Sequence, residues 1–110
     1  QYLHALKVGV WAGADKGRFP MKYGPLGRSG LIVSRICLGG NSWGAKGRRG
    51  WGKFDETEAP AYFKRALDVG INFFDTADTY NFGRSEEIMG ATLLKMVKRE
   101  EVVLSTKVGI

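Results

Sequence analysis

Apolar and polar positions change their spacing several times along the chain, and each change marks a different element. From Met21 onward, Lys22-Tyr23-Gly24-Pro25-Leu26 and Leu31-Ile32-Val33 flank the turn-rich Gly27-Arg28-Ser29-Gly30, which predicts a small hairpin. Ile36-Cys37-Leu38 stops at Gly39-Gly40 and predicts a short buried strand. Between Asn41 and Glu56, glycines recur among Lys46, Arg48, Arg49 and Lys53, which argues for a loop and against a helix. Ala59, Tyr62, Phe63, Ala66 and Leu67 then fall at i, i+3, i+4, i+7 and i+8, one apolar stripe of a helix. Thr57 is its expected N-cap, Pro60 falls in the first turn, and Gly70 stands where a left-handed C-terminal cap belongs. Ile71-Asn72-Phe73-Phe74-Asp75 follows at once as a strand.

A second helix is expected from Ser85. Glu86 and Glu87 sit in its first turn, and Lys95, Lys98 and Arg99 near its end, each with the sign the helix dipole favours. Ile88, Met89, Thr92, Leu93, Met96 and Val97 form its buried face. Val102-Val103-Leu104-Ser105-Thr106-Lys107 reads as another buried strand. The order is hairpin, β, α, β, α, β. Helices between strands impose parallel pairing through right-handed crossovers. Such a βα period suits a doubly wound sheet or a (β/α)₈ barrel. A barrel takes about 250 residues. These 110 residues supply a hairpin, three strands of eight and two helices, the N-terminal part of such a domain.

Composition narrows the function classes. With 44% apolar and 25% charged residues the chain has an ordinary globular balance. The single Cys37 excludes an internal disulfide framework, and with His4 as the sole histidine no zinc site from these ligands is expected. No uncharged apolar run approaches the ~18 residues of a membrane span, so a soluble chain is expected. The net charge of +6 is uneven. Residues 1–54 hold ten Lys/Arg and one acid, whereas residues 55–110 hold seven Lys/Arg and ten acids. A basic front half admits anionic ligands, and Gly47-Arg48-Arg49-Gly50 admits a nucleic-acid reading, which ranks last. Residues 1–20, with the short apolar run Val8 to Ala14, are taken as an upstream or vector-derived extension outside the fold.

Two charged residues stand where packing alone would not put them. Asp75 ends one apolar strand and Lys107 ends the next. On adjacent parallel strands about 4.8 Å apart, a carboxylate and an ammonium at equivalent ends can meet. That C-terminal rim carries the active site in barrels and open α/β sheets alike. The alternative is a strand-end ion pair that merely satisfies two charges. Tyr80 follows on the loop from Asp75. A phenol with a free pKa near 10 is a poor acid at neutral pH, and a nearby ammonium lowers that value. Asp75, Lys107 and Tyr80 together therefore make a coherent proton donor for a carbonyl oxygen. Tyr80 as an aromatic loop anchor is the competing reading.

Leu26-Gly27-Arg28-Ser29-Gly30-Leu31, Leu38-Gly39, Gly70 to Tyr80, Gly83-Arg84-Ser85-Glu86-Glu87-Ile88-Met89-Gly90 and Ser105-Thr106-Lys107-Val108 resemble the aldo-keto reductases. Within that superfamily they are most similar to the aryl-alcohol-dehydrogenase-like and potassium-channel β-subunit-like branches. The resemblance implies that residues 21–110 are the N-terminal part of a (β/α)₈ barrel, cut after its third strand. It implies an oxidoreductase that uses NADP(H) to reduce aldehydes or ketones to alcohols, or runs the reverse. By residue matching Tyr80 is the proton donor, Lys107 lowers its pKa, and Asp75 holds Lys107. Gly40, Asn41 and Asp75 are the matching cofactor-binding candidates, although many relatives carry Thr where Gly40 stands. The family's catalytic His falls beyond these 110 residues. Trp43 and Trp51 could line a substrate mouth or, as the favoured reading, pack down the loop. Cys37 is expected to be buried and inert. The implied setting is cytoplasmic, with no metal, no membrane insertion and a homo-oligomer left open. A regulatory cofactor-binding barrel and an inactive fragment are the alternatives to an enzyme.

Overall fold

Pairing begins where the turn residues allow it. In the computed structural model, which describes residues 20–45 and 54–109, β1 (Tyr23–Pro25) and β2 (Ile32–Ser34) pair antiparallel, Gly24 opposite Val33. Ser29 closes the turn, donating from Oγ to the Leu26 carbonyl at 2.7 Å. The expected hairpin is therefore present. The readings placed on residues 1–19, on Gly47 to Gly50 and on Trp51 lie outside the described residues.

The remaining strands are β3 (Leu38–Gly39), β4 (Phe73–Asp75) and β5 (Val103–Ser105), a parallel sheet in the order β3-β4-β5. Helix α1 (Ala59–Asp68) joins β3 to β4, and α2 (Arg84–Met96) joins β4 to β5. Leu38, Phe74 and Leu104 stand side by side in register, and Gly39, Asp75 and Ser105 do the same one residue on. Alternation divides these rows between two faces. The Leu38–Phe74–Leu104 row packs on the helices, against Phe63, Leu67, Ile88, Met89 and Leu93. Fully burying an apolar side chain of this size stabilises by roughly 1.5–3 kcal/mol, so this row and the two helical stripes hold the unit together.

Small departures from the sequence pattern have local causes. Helix α1 starts at Ala59, with Glu58 rather than Thr57 in the capping position. Asp55 does the capping from outside, its Oδ1 accepting the amide protons of Thr57 and Glu58 at 3.0 and 3.2 Å. The helix ends as expected, with Gly70 at φ +94°, a conformation that costs a glycine little. Tyr62 lies at the rim of the apolar stripe and stays half exposed. Helix α2 begins one residue early, at Arg84.

One expectation fails outright. Cys37 is exposed, and Ile36 beside it is 56% exposed, so the predicted buried strand shrinks to Leu38–Gly39. The Ser34 hydroxyl donates to the Ile36 carbonyl at 2.5 Å and turns the chain there, before pairing with β4 can begin. An apolar triplet ahead of two glycines carries no information about where the ladder starts.

The hairpin is tied to the sheet by one buried amide. Asn72 accepts the Ser34 amide proton on Oδ1 at 2.6 Å and donates from Nδ2 to the Ile32 carbonyl at 3.2 Å. A buried polar group satisfied this way fixes register as well as position.

Candidate functional site

Parallel register brings the charged strand ends together. Asp75 is the last residue of β4, opposite Gly39 on one side and Ser105 on the other. Lys107 lies two residues past Ser105, on the same face by alternation. Its ammonium donates to Asp75 Oδ2 at 2.8 Å, to the Thr76 carbonyl at 2.7 Å and to Tyr80 Oη at 3.3 Å. An ammonium has three protons, and these three acceptors account for all of them. Among the described residues Asp75 Oδ1 has no hydrogen-bond partner. The three predicted catalytic residues thus form one connected cluster at the C-terminal rim of the sheet.

The loop between Asp75 and Tyr80 is held by backbone. The Asp78 amide donates to the Lys107 carbonyl at 3.1 Å, and Asp78 Oδ2 accepts the Gly109 amide proton at 3.1 Å. The two rim segments therefore stay side by side past the end of the ladder. The side chains remain accessible, Lys107 at 49% and Asp75 at 29%. The Lys107 pKa is raised above its ordinary 10.5, first by the hydrogen bond to Asp75, against a smaller opposing desolvation, and then by the bond to Tyr80. At neutral pH Lys107 is a cation. It donates to the phenol oxygen, so the phenol's own proton must point elsewhere.

Gly40 and Asn41 leave β3 at the same rim. A Cβ on Gly40 would stand 2.6 Å from the Asp75 carbonyl oxygen and 3.0 Å from Ser85 Oγ, so no side chain fits this backbone. The Gly40 carbonyl accepts from Ser85 Oγ at 2.6 Å, and Ser85 Oγ also meets Thr76 Oγ1 at 2.7 Å. This buried pair of hydroxyls locks the end of β3 to the end of β4 and to the start of α2. Gly39, opposite Asp75, has nothing within 4 Å of where its Cβ would be, so the rim beside the carboxylate is open. Asn41, next along the chain from Gly40, is exposed at the same rim.

Trp43 does not line a mouth. It is 3% exposed, with its ring 4.9 Å from Phe63, 5.5 Å from Tyr62 and 5.9 Å from Phe54. The packing reading holds for it. Among the described residues no cluster of His, Cys, Asp and Glu could hold a metal ion. No helix there is long and apolar enough to cross a membrane. Sequence reasoning passed over Asn81, which joins the two rim loops. The signal available was an Asn directly after Tyr80, a residue type that tolerates left-handed backbone.

Comparison with known proteins bears on this geometry. The model of the Aldo/keto reductase family matches residues 35–110. The chain is 40% identical over 90 residues to the aldo-keto reductase YhdN of Bacillus subtilis, covering 82% of this chain and 26% of that protein. It is 43% identical over 88 residues to a protein of Oryza sativa subsp. japonica named for the voltage-gated potassium channel subunit beta, covering 79% and 25%. Among solved structures it is similar to the holo form of aldo-keto reductase AKR11C1 from Bacillus halodurans, with a TM-score of 0.66 and 40% identity. That match covers 81% of this chain and 26% of the other. The chain spans roughly a quarter of the length of the relatives it matches.

Proposed function

The chain belongs to the aldo/keto reductase family, and from that premise we propose that the whole protein is an NADP(H)-dependent oxidoreductase. It interconverts small aldehydes or ketones and their alcohols, with Tyr80 as the proton donor. The α/β unit described above corresponds to the N-terminal part of that family's (β/α)₈ barrel. The observation that carries the reading is the Lys107 ammonium bonded at once to Asp75 and to Tyr80 Oη.

Each residue has a chemical task. Tyr80 gives its phenolic proton to the carbonyl oxygen as negative charge develops there. Lys107 stabilises the phenolate left behind, because an adjacent cation favours the charged form. Asp75 keeps the ammonium in place and keeps it protonated. When bound, the nicotinamide cofactor supplies or takes up the hydride, and Gly40, Asn41 and Asp75 are the residues here that would hold it. A cytoplasmic setting accompanies this reading through the resemblance.

The test is Tyr80→Phe in the whole protein, followed by NADPH consumption across a panel of aldehydes. We expect turnover to fall by roughly 10²–10⁴-fold, the usual contribution of a positioned acid, with NADPH binding retained. Unchanged turnover removes Tyr80 from the mechanism. A second reading, a regulatory cofactor-binding barrel, is favoured by the similarity to the rice protein named for a channel subunit. Negligible turnover across the panel, with recovery of a membrane channel alongside the protein, selects that reading.

A further inference from the structure

We propose that Asn81 is a positioning residue for Tyr80, fastening the loop that carries the phenol to the loop that follows β3. The inference rests on Tyr80 acting as the proton donor. Asn81 Nδ2 donates to the Asn41 carbonyl at 3.0 Å and to the Trp43 carbonyl at 2.7 Å. A carboxamide nitrogen has two protons, and both are used across this gap.

The backbone shows why such a fastening is needed. Asn81 (φ 51°, ψ 44°) and Phe82 (φ 58°, ψ 39°) are both left-handed, directly after Tyr80. Two consecutive non-glycine residues in that region are strained and persist only where surroundings hold them. Phe82 contributes no packing, being 102% exposed. Asn81 tolerates the conformation better than most residues, and it alone of the pair carries a side-chain anchor. That anchor is firm, because Trp43 is buried among three aromatic rings.

Tyr80 is thus held on both sides: upstream by the Asp78–Lys107 backbone bond, downstream by Asn81. Its contact with Lys107, at 3.3 Å, is the longest of the ammonium's three bonds. A loop shift of well under a residue's length breaks it, and misplacement by about 1 Å can cost 10²-fold in rate. The same amide reaches Asn41, so it keeps the candidate cofactor loop and the acid in one rigid frame.

The experiment compares whole-protein Asn81→Gly and Asn81→Asp with the parent. Glycine keeps the left-handed backbone and deletes the amide. Aspartate keeps the shape and loses the donors, and reads the same quantity independently of chain flexibility. Expected for both is a fall in kcat of about 10-fold or more, with KM for the aldehyde within about twofold. In a Tyr80→Phe background the Asn81 substitutions add nothing further, which a merely structural role would not produce. Unchanged kcat in both Asn81 variants, beside an inactive Tyr80→Phe, overturns this inference alone. An active Tyr80→Phe overturns it together with the reading beneath it.

Discussion

Lys107 decides more of the site than its exposure suggests. Three acceptors fix it, and the bond to Asp75 is the main cause of its raised pKa. A raised folded value means that its contribution to stability is complete below the ordinary 10.5 and is lost as pH rises through the higher folded value. Asp75→Asn removes the charge that raises it. The Lys107 titration should then move down towards 10.5, which ¹⁵N-lysine NMR reads directly. A titration that stays in place contradicts the assignment of Asp75 as the main cause. The same variant should lower kcat, because the ammonium loses its anchor beside the phenol. Asp75, Lys107 and Tyr80 were all legible as residues. Asn81 was not, because its partners are two backbone carbonyls that lie 38 and 40 positions away.

At the scale of elements, helix α1 carries the packing. Phe63 is fully buried, against Phe74 of β4 at a ring separation of 6.1 Å and against Trp43 of the loop after β3. Phe63→Ala in the whole protein should cost about 3–5 kcal/mol, seen as a lower urea midpoint at unchanged slope. A loss below about 1 kcal/mol would mean that the site collapses around the vacancy or that the helix does not pack as described. The helices were readable because a 3.6-residue stripe and glycine punctuation are local properties. The boundary of β3 was not, because ladder pairing is decided by β4, more than thirty residues away. Ser34 and Ile36 end the approach to β3 through a hydrogen bond that no periodicity encodes.

At the scale of the molecule, the sheet is one-sided. The Leu38–Phe74–Leu104 face is covered by helices, while the face that bears Asp75 and Lys107 is only partly covered. Among the described residues β3 and β5 each pair on one edge only. Unpaired edges beside an open face invite self-association. The 110-residue chain on its own is therefore expected to associate, and light scattering checks this. A chain that stays monomeric at high concentration would show that these edges are not exposed as described.

The order of elements, the two helical faces, the hairpin and the identity of the acid, amine and phenol follow from the sequence by itself, since each depends on neighbours within a turn or a strand. Only the tertiary structure decided that Cys37 is exposed, that Gly40 has no room for a side chain, and that Asn81 spans two loops. Those three outcomes depend on how closely separate backbone segments approach, and a linear pattern holds no record of that distance.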